Sequence, residues 1–219
     1  MLLGNMLIVL LMACFGYGLG AIPFGLVLTR LAGLGDIRTI GSGNIGATNV
    51  LRTGNKPLAF ATLLLDSGKG AIAIGGAALL VPLVSQDADT LHLAMLLAGI
   101  GAVLGHNYPI WLGFKGGKGV ASTLGVILAL NLGVGGIACA TWLMAAVLWR
   151  YSSLAALIAL GTAPIWAWVL GQTPLALALA FLAALAFYRH ADNIRRLRAG
   201  TESKIGKKAA PPKNKGTAI

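Results

Sequence analysis

Val120-Ala121-Ser122-Thr123-Leu124-Gly125-Val126-Ile127-Leu128-Ala129-Leu130-Asn131-Leu132-Gly133-Val134-Gly135-Gly136-Ile137 runs on without a charge to Trp149 and admits two readings. As one tilted helix it puts Lys115 and Lys118 on one side of a membrane and Arg150 on the other. With residues 131–136 as a turn it becomes two short helices, and both basic sites share a side. Basic residues collect on the cytoplasmic side of membrane proteins, which favours the two helices. At about 1.5 Å per residue each is around 20 Å long, short of a roughly 30 Å hydrocarbon core. The expected consequence is a site sunk into the membrane from one side, or a locally thinned bilayer.

The composition surrounding that stretch excludes a soluble domain. Of 219 residues, 57% are hydrophobic and 11% charged, against about 25% charged in soluble proteins, and the mean hydropathy is +0.83. The net charge of +11 comes from 17 Lys and Arg against 6 Asp and Glu. In a soluble chain that surplus would suggest nucleic acid; here it reads as membrane topology, with no nucleic-acid partner expected. Cys14 and Cys139 both lie in apolar runs, which argues against disulfides and metal sites. Leu11-Met12-Ala13-Cys14 resembles a lipoprotein cleavage box, but no basic region precedes it and the apolar run continues to about Leu31, so a retained first span is expected.

The remaining spans follow from the charges. A first span, about Leu3 to Leu28, is followed by Arg30, Arg38, Arg52 and Lys56, which places that segment in the cytoplasm and the N-terminus outside. A second span, about Pro57 to Val84, leads to a loop with Asp87 and Asp89 and no basic residue; a third runs from about Leu91 to Leu104. After the two short helices come a sixth span, about Leu154 to Leu170, and a seventh, about Leu175 to Tyr188. Nine of the 17 basic residues follow from Arg189 onward. The expected fold is all-α and integral to the membrane: seven transmembrane helices, N-terminus outside, C-terminus cytoplasmic, with short or partly re-entrant middle helices. Residues 1–206 form a single helical membrane domain, and 207–219 a basic disordered tail. No internal repeat supports an inverted-repeat transporter.

Three polar patches interrupt the hydrocarbon, all on the cytoplasmic side by this topology. Gly41 to Arg52 packs Gly41, Gly43, Gly46, Ser42, Asn44, Thr48, Asn49 and Arg52 together. It reads either as a Gly-rich connecting loop or as an anion site of backbone N–H groups, small donors and a guanidinium. The second patch, Gly105 to Gly119, ends in Lys115-Gly116-Gly117-Lys118-Gly119. It is not a Walker loop, since position 112 is Leu and position 119 is Gly. The third, Arg189 to Gly206, carries His190 and Asn193 one helical turn apart beside arginines suited to lipid headgroups. Inside the second span, Asp66 and Lys69 at i, i+3 are expected to neutralise each other as a structural pair facing the bundle interior, with substrate contact left open. Surplus positive charge suits phosphate ligands. Composition alone leaves an enzyme and a transporter of organic phosphates both open.

In combination and order, the three patches resemble the bacterial membrane acyl-phosphate:glycerol-3-phosphate acyltransferases over most of the chain. The resemblance implies a multi-pass protein of the bacterial cell (inner) membrane with its active site facing the cytoplasm. Its reaction would transfer a fatty acyl group from acyl phosphate to the 1-hydroxyl of glycerol 3-phosphate, giving lysophosphatidic acid and phosphate, the first acylation of phospholipid synthesis. It implies Ser42, Arg52, Lys115, His190 and Asn193 as catalytic residues. Gly41, Gly43, Asn44, Thr48, Asn49, Gly116, Gly117, Lys118, Gly119, Ser153 and Lys204 would bind substrate or phosphate. No cofactor or metal is expected, the partners are the two substrates and membrane lipid, and the oligomeric state is left open. The His-x4-Asp arrangement of acyl-CoA-dependent glycerolipid acyltransferases is absent, because Trp111, Arg195 and Leu97 follow His106, His190 and His92 at that distance. Direct transfer without an acyl-enzyme is expected, with His190 or the donor phosphate taking the hydroxyl proton.

Overall fold

Asn131 alone separates two helices, α6 (Val120–Leu130) and α7 (Leu132–Trp149), as they are numbered in the complete order below. It is extended at φ −154°, and its side chain accepts from the N–H of Val134, so it caps α7 at once. The expected split is present, but the expected six-residue turn is not: Gly133, Gly135 and Gly136 lie within α7. Only α6 is short, 11 residues or about 16 Å, while the 18 residues of α7 reach about 27 Å.

The computed structural model describes residues 2–206, so the tail expected at 207–219 lies outside them. The described residues form no strand; the other helices are α1 (Leu2–Gly20), α2 (Phe24–Leu31), α3 (Ala47–Val50), α4 (Lys56–Leu80), α5 (Ala88–Asn107), α8 (Ser152–Val169), α9 (Thr173–Arg189) and α10 (Ala191–Arg198). Five stretches are long and apolar enough to cross a membrane: Leu2–Leu31, Lys56–Leu83, Ala88–Leu112, Leu132–Trp149 and Ser152–Val169. Taking α9 and α10, bent by 61°, as one span makes six, and α6 is an additional shorter apolar helix.

The first span differs from its expected form. Instead of one helix to about Leu28, α1 ends at Gly20 and α2 begins at Phe24. Pro23 has no N–H to give the ladder, so the chain turns there. The carbonyl of Ile22, left out of a helix, accepts from Lys69 Nζ at 3.3 Å. α2 then packs Leu26 with Ile37, Ile45, Val50 and Ala59 in a small core under the first polar loop.

Small residues set the closest helix contacts. Gly16 and Gly20 of α1 meet α5 so tightly that a Cβ would fall 2.0 Å from the carbonyl of Ala98 and 2.1 Å from that of Ala102. Gly101 and Gly105 of α5 return the fit against Ala13 and Tyr17 at 2.3 and 2.2 Å. In hydrocarbon, where burial drives no association, this backbone approach is what helix packing relies on. At the α4–α6 crossing a Cβ on Gly125 would stand 2.1 Å from the carbonyl of Ser67.

Candidate active site

The first wall is organised by Asn49, 2% exposed. Its amide nitrogen is aimed at the carbonyls of Ile37, Ile40 and Asn44 at 2.8 to 3.0 Å. Its Oδ1 accepts from Ser42 N at 3.1 Å, from Ser42 Oγ at 3.3 Å and from Arg52 Nη1 at 3.0 Å. One buried amide thus folds the loop and aims Arg52. The glycines serve geometry: Gly41 and Gly43 have φ of +57° and +69°, and a Cβ on Gly41 would strike Arg52 Cδ at 2.7 Å. Gly43 N–H is already given to Ile40 O.

The second wall also differs from expectation. Gly116 N–H donates to Asn107 O at 3.1 Å and Gly117 N–H to His106 O at 2.9 Å, so neither is free for a phosphate. Their carbonyls accept from the Arg189 guanidinium. The loop turns Lys118 inward, where it donates to Asn193 Oδ1. Burial, with Arg196 nearby, pushes the Lys118 ammonium from 10.5 down to about 8. Lys115 is exposed and lies outside the cavity wall.

The third wall is the bend between α9 and α10 with the irregular segment that follows. His190 is 3% exposed and Asn193 5%. His190 Nδ1 lies 2.7 Å from Ala186 O; a carbonyl only accepts, so Nδ1 carries the proton and the neutral ring leaves Nε2 as an acceptor. Glu202 Oε1 accepts from Ser153 Oγ at 2.9 Å and Asn193 Nδ2 at 2.6 Å, and Oε2 from Arg196 Nε at 2.6 Å. Burial works to raise the Glu202 pKa, but the bonds from Asn193, Arg196 and Ser153 hold it below the ordinary carboxylate value. Ile205 N–H donates to Arg150 O at 2.7 Å, tying the segment to the end of α7.

These walls enclose a cavity of about 580 Å³. Ser42, Asn44, Thr48, Asn49, Arg52, Lys118, Gly119, Ser153, His190 and Asn193 all line it, together with Asp66. Its other arm is apolar, with Phe60, Leu63 and Leu64 of α4, Leu124 of α6, and Cys139 and Trp142 of α7. Gly41, Gly43, Lys69, Lys115, Gly116 and Gly117 are not on its surface. Lys204 lines a separate recess of about 40 Å³ with Thr48, Arg52 and Ser203, and its ammonium stands 5.7 Å from the Tyr151 ring.

Asp66 and Lys69 do pair, at 3.0 Å and 2% exposure each, and His106 joins them, its Nδ1 2.8 Å from Lys69 Nζ. Asp66 and His106 reach the cavity surface, so the cluster is not remote from it. His106, Arg189, Arg196, Glu202 and Ser203 were assigned no site role from sequence. Glu202 had one signal available: it is the single carboxylate after Asp192 in a basic stretch, and an isolated acid among arginines is a pairing partner.

Comparisons with known proteins match most of the chain. The family model described as glycerol-3-phosphate acyltransferase matches residues 10–200. A glycerol-3-phosphate acyltransferase of Rhodospirillum rubrum is 63% identical over 91% of this chain and 93% of its own, and one of Cereibacter sphaeroides 54% identical over 94% of both. A crystal structure of PlsY, an integral membrane glycerol 3-phosphate acyltransferase, in its glycerol 3-phosphate form superposes with TM-score 0.80 at 39% identity, covering 90% of this chain and 96% of that one. Its lysophosphatidic acid form gives 0.77 at 37% identity, over 90% and 95%.

Proposed function

The chain belongs to the glycerol-3-phosphate acyltransferase family, and on that premise we propose that it moves a fatty acyl group from acyl phosphate to the 1-hydroxyl of glycerol 3-phosphate. The products are lysophosphatidic acid and phosphate. The observation that carries this reading is a cavity that joins a cationic, hydrogen-bonding arm to a hydrocarbon arm. One arm suits two phosphate groups and the other an acyl chain. The relatives solved with glycerol 3-phosphate and with lysophosphatidic acid support the acceptor and the product.

Acyl phosphate is a mixed anhydride, so the leaving group is good and the larger task is to hold two repelling anions together. Arg52 and Lys118 take the phosphates, with Arg196 adding charge behind Glu202. Lys118 replaces Lys115 in this assignment because only Lys118 lines the cavity. The acceptor hydroxyl attacks the acyl carbon, the bond from that carbon to the phosphate oxygen breaks, and phosphate departs with the electron pair. His190 Nε2 or the donor phosphate takes the hydroxyl proton. Ser42, whose hydroxyl faces Asn49 Oδ1, positions substrate and is not acylated.

The membrane arrangement belongs to the same reading. Seven spans, counting α6 and the bent α9–α10 pair, put the N-terminus outside and the C-terminus in the cytoplasm of a bacterial inner membrane. The cavity then opens to the cytoplasm. Residues 1–206 work as one membrane domain, with the membrane lipid as solvent and partner.

Purified protein in detergent, with no second compartment, should release phosphate from acyl phosphate only when glycerol 3-phosphate is present. Flux in sealed vesicles without that release would replace the enzyme with a transporter. Rapid quenching that trapped an acyl group on Ser42 would overturn direct transfer.

A further inference from the structure

Arg189 takes no place in the cavity wall, yet it is heavily engaged next to it. Its Nη2 donates to Gly116 O at 3.0 Å and Gly117 O at 2.9 Å, and its Nε to Gly117 O at 3.2 Å. The guanidinium carbon stands 5.0 Å from the centre of the Tyr108 ring, within cation–π range. Tyr108 is itself anchored, its carbonyl accepting from Tyr17 Oη at 2.7 Å. The His106 ring is also packed on Gly117, where a Cβ would fall 2.0 Å from Nε2. Gly117 therefore meets both an imidazole and a guanidinium, one residue before Lys118.

The position of Arg189 matters as much as its bonds. It is the last residue of α9, directly before the 61° bend that sets the direction of α10. His190 and Asn193 follow it, and Asn193 accepts from Lys118. The same short stretch of chain thus grips the Lys118 loop by its carbonyls and meets the Lys118 ammonium with an amide. A planar fork spanning two successive carbonyls fixes orientation in a way that an ammonium does not.

We propose that Arg189 is a positioning residue for the acyl transfer: by clamping Gly116 and Gly117 to the α9–α10 bend it holds Lys118 in register with Asn193 and His190. This rests on the reading of Lys118 as a phosphate-binding cation. Arg189 touches no substrate and acts through Lys118.

The test compares Arg189→Lys, Arg189→Gln and Lys118→Gln in the full-length protein in detergent, with KM for glycerol 3-phosphate, kcat and the alkaline limb of kcat/KM measured for each. The charged groups around Lys118 are Arg196, Glu202, Asp192 and Arg189. Removing the Arg189 charge while freeing the loop lets the Lys118 limb rise toward the ordinary lysine range. Arg189→Gln should raise KM about 10- to 100-fold, a misplacement-sized loss, and move the limb upward. Arg189→Lys should recover the limb but not the full KM, because charge returns without the fork. Per free amine, with the ionised fraction taken from the measured limb, Lys118 should also be acylated several-fold faster by an amine-reactive reagent in Arg189→Gln than in the parent. This labelling is read by mass spectrometry on protein that elutes as a single species, so it reports even where activity is low. KM, the limb and labelling all within twofold of the parent would overturn the proposal. So would an equal fall in kcat for Lys and Gln with unchanged labelling, the mark of a merely structural residue. If Lys118→Gln itself left KM unchanged, the reading of Lys118 would fail instead, a separate result.

Discussion

Arg52 donates from Nη2 to the hydroxyl of Ser203, 151 positions further along the chain, at 2.5 Å. The first polar loop and the segment after α10 are closed on each other by this contact across the mouth of the cavity. Arg52→Ala removes the fork as well as the tether, and kcat/KM for glycerol 3-phosphate should fall about 100- to 1,000-fold, the usual loss for a donor to developing charge. Ser203→Ala leaves Arg52 held by Asn49 and should cost less than about tenfold, as for one neutral hydrogen bond. Steady-state kinetics on both variants checks the order.

Lys118 should give the enzyme an alkaline limb. Its ammonium titrates near 8, so kcat/KM for glycerol 3-phosphate should decline above that pH as the charge is lost. Lys118→Arg, which does not deprotonate in this range, should flatten the decline. The stability effect has the opposite sign. With the folded pKa below the unfolded 10.5, the buried charge is a penalty that eases as pH rises from about 8 to 10.5.

Glu202 makes the closing segment sensitive to acid. Its pKa is lowered on folding, so its stabilisation is present above the ordinary carboxylate range and is lost as pH falls through the folded value. Glu202→Gln should cost roughly 1–3 kcal/mol at pH 7, since Arg196 loses its charged partner. The gap in thermal midpoint between variant and parent should narrow as the pH falls below 4.5.

The α1–α5 contact should not accept side chains. Gly101→Leu forces a Cβ onto the Ala13 carbonyl and should cost about 2–4 kcal/mol or prevent folding. Gly136, with nothing within 4 Å of a Cβ, provides the contrast: Gly136→Ala should be neutral or stabilising by up to about 1 kcal/mol. Thermal unfolding in detergent separates the two.

Cys139 reports on the apolar arm. A small membrane-permeant thiol reagent should label it, and saturating lysophosphatidic acid should slow that labelling several-fold. Cys14, exposed on α1, serves as the internal control. Equal protection of both thiols would place the acyl chain elsewhere.

Helix positions were readable from the chain because apolar runs and basic residues report directly on the bilayer: the split at Asn131 followed from where Lys118 and Arg150 had to lie. The break at Pro23 was hidden by hydropathy, since α2 is apolar enough to look like a continuation of α1. The α1–α5 packing had a legible signal in Gly16-x3-Gly20 and Gly101-x3-Gly105, the i, i+4 spacing of close helix contacts. For the site, residue type was informative and direction was not. Lys115 and Lys118 are equivalent as letters, and only the bonding of Gly116 and Gly117 to residues 106 and 107 turns one out and the other in. Arg189 was hidden among the charges of a basic end because its carbonyl partner Gly117 lies 72 positions away, and the tie from Glu202 to Ser153, 49 positions away, was hidden in the same way.

The N–H groups of Gly116 and Gly117 face their own chain, and this changes how that part of the cavity wall senses its surroundings. A cradle of peptide dipoles has no proton to lose in the physiological range and is indifferent to the acidity of the medium. A grip made from an ammonium near its titration point and guanidiniums at an open mouth is weakened by alkali and by competing salt. The pH and ionic strength of the medium that the cavity faces would then bear directly on how tightly it holds glycerol 3-phosphate.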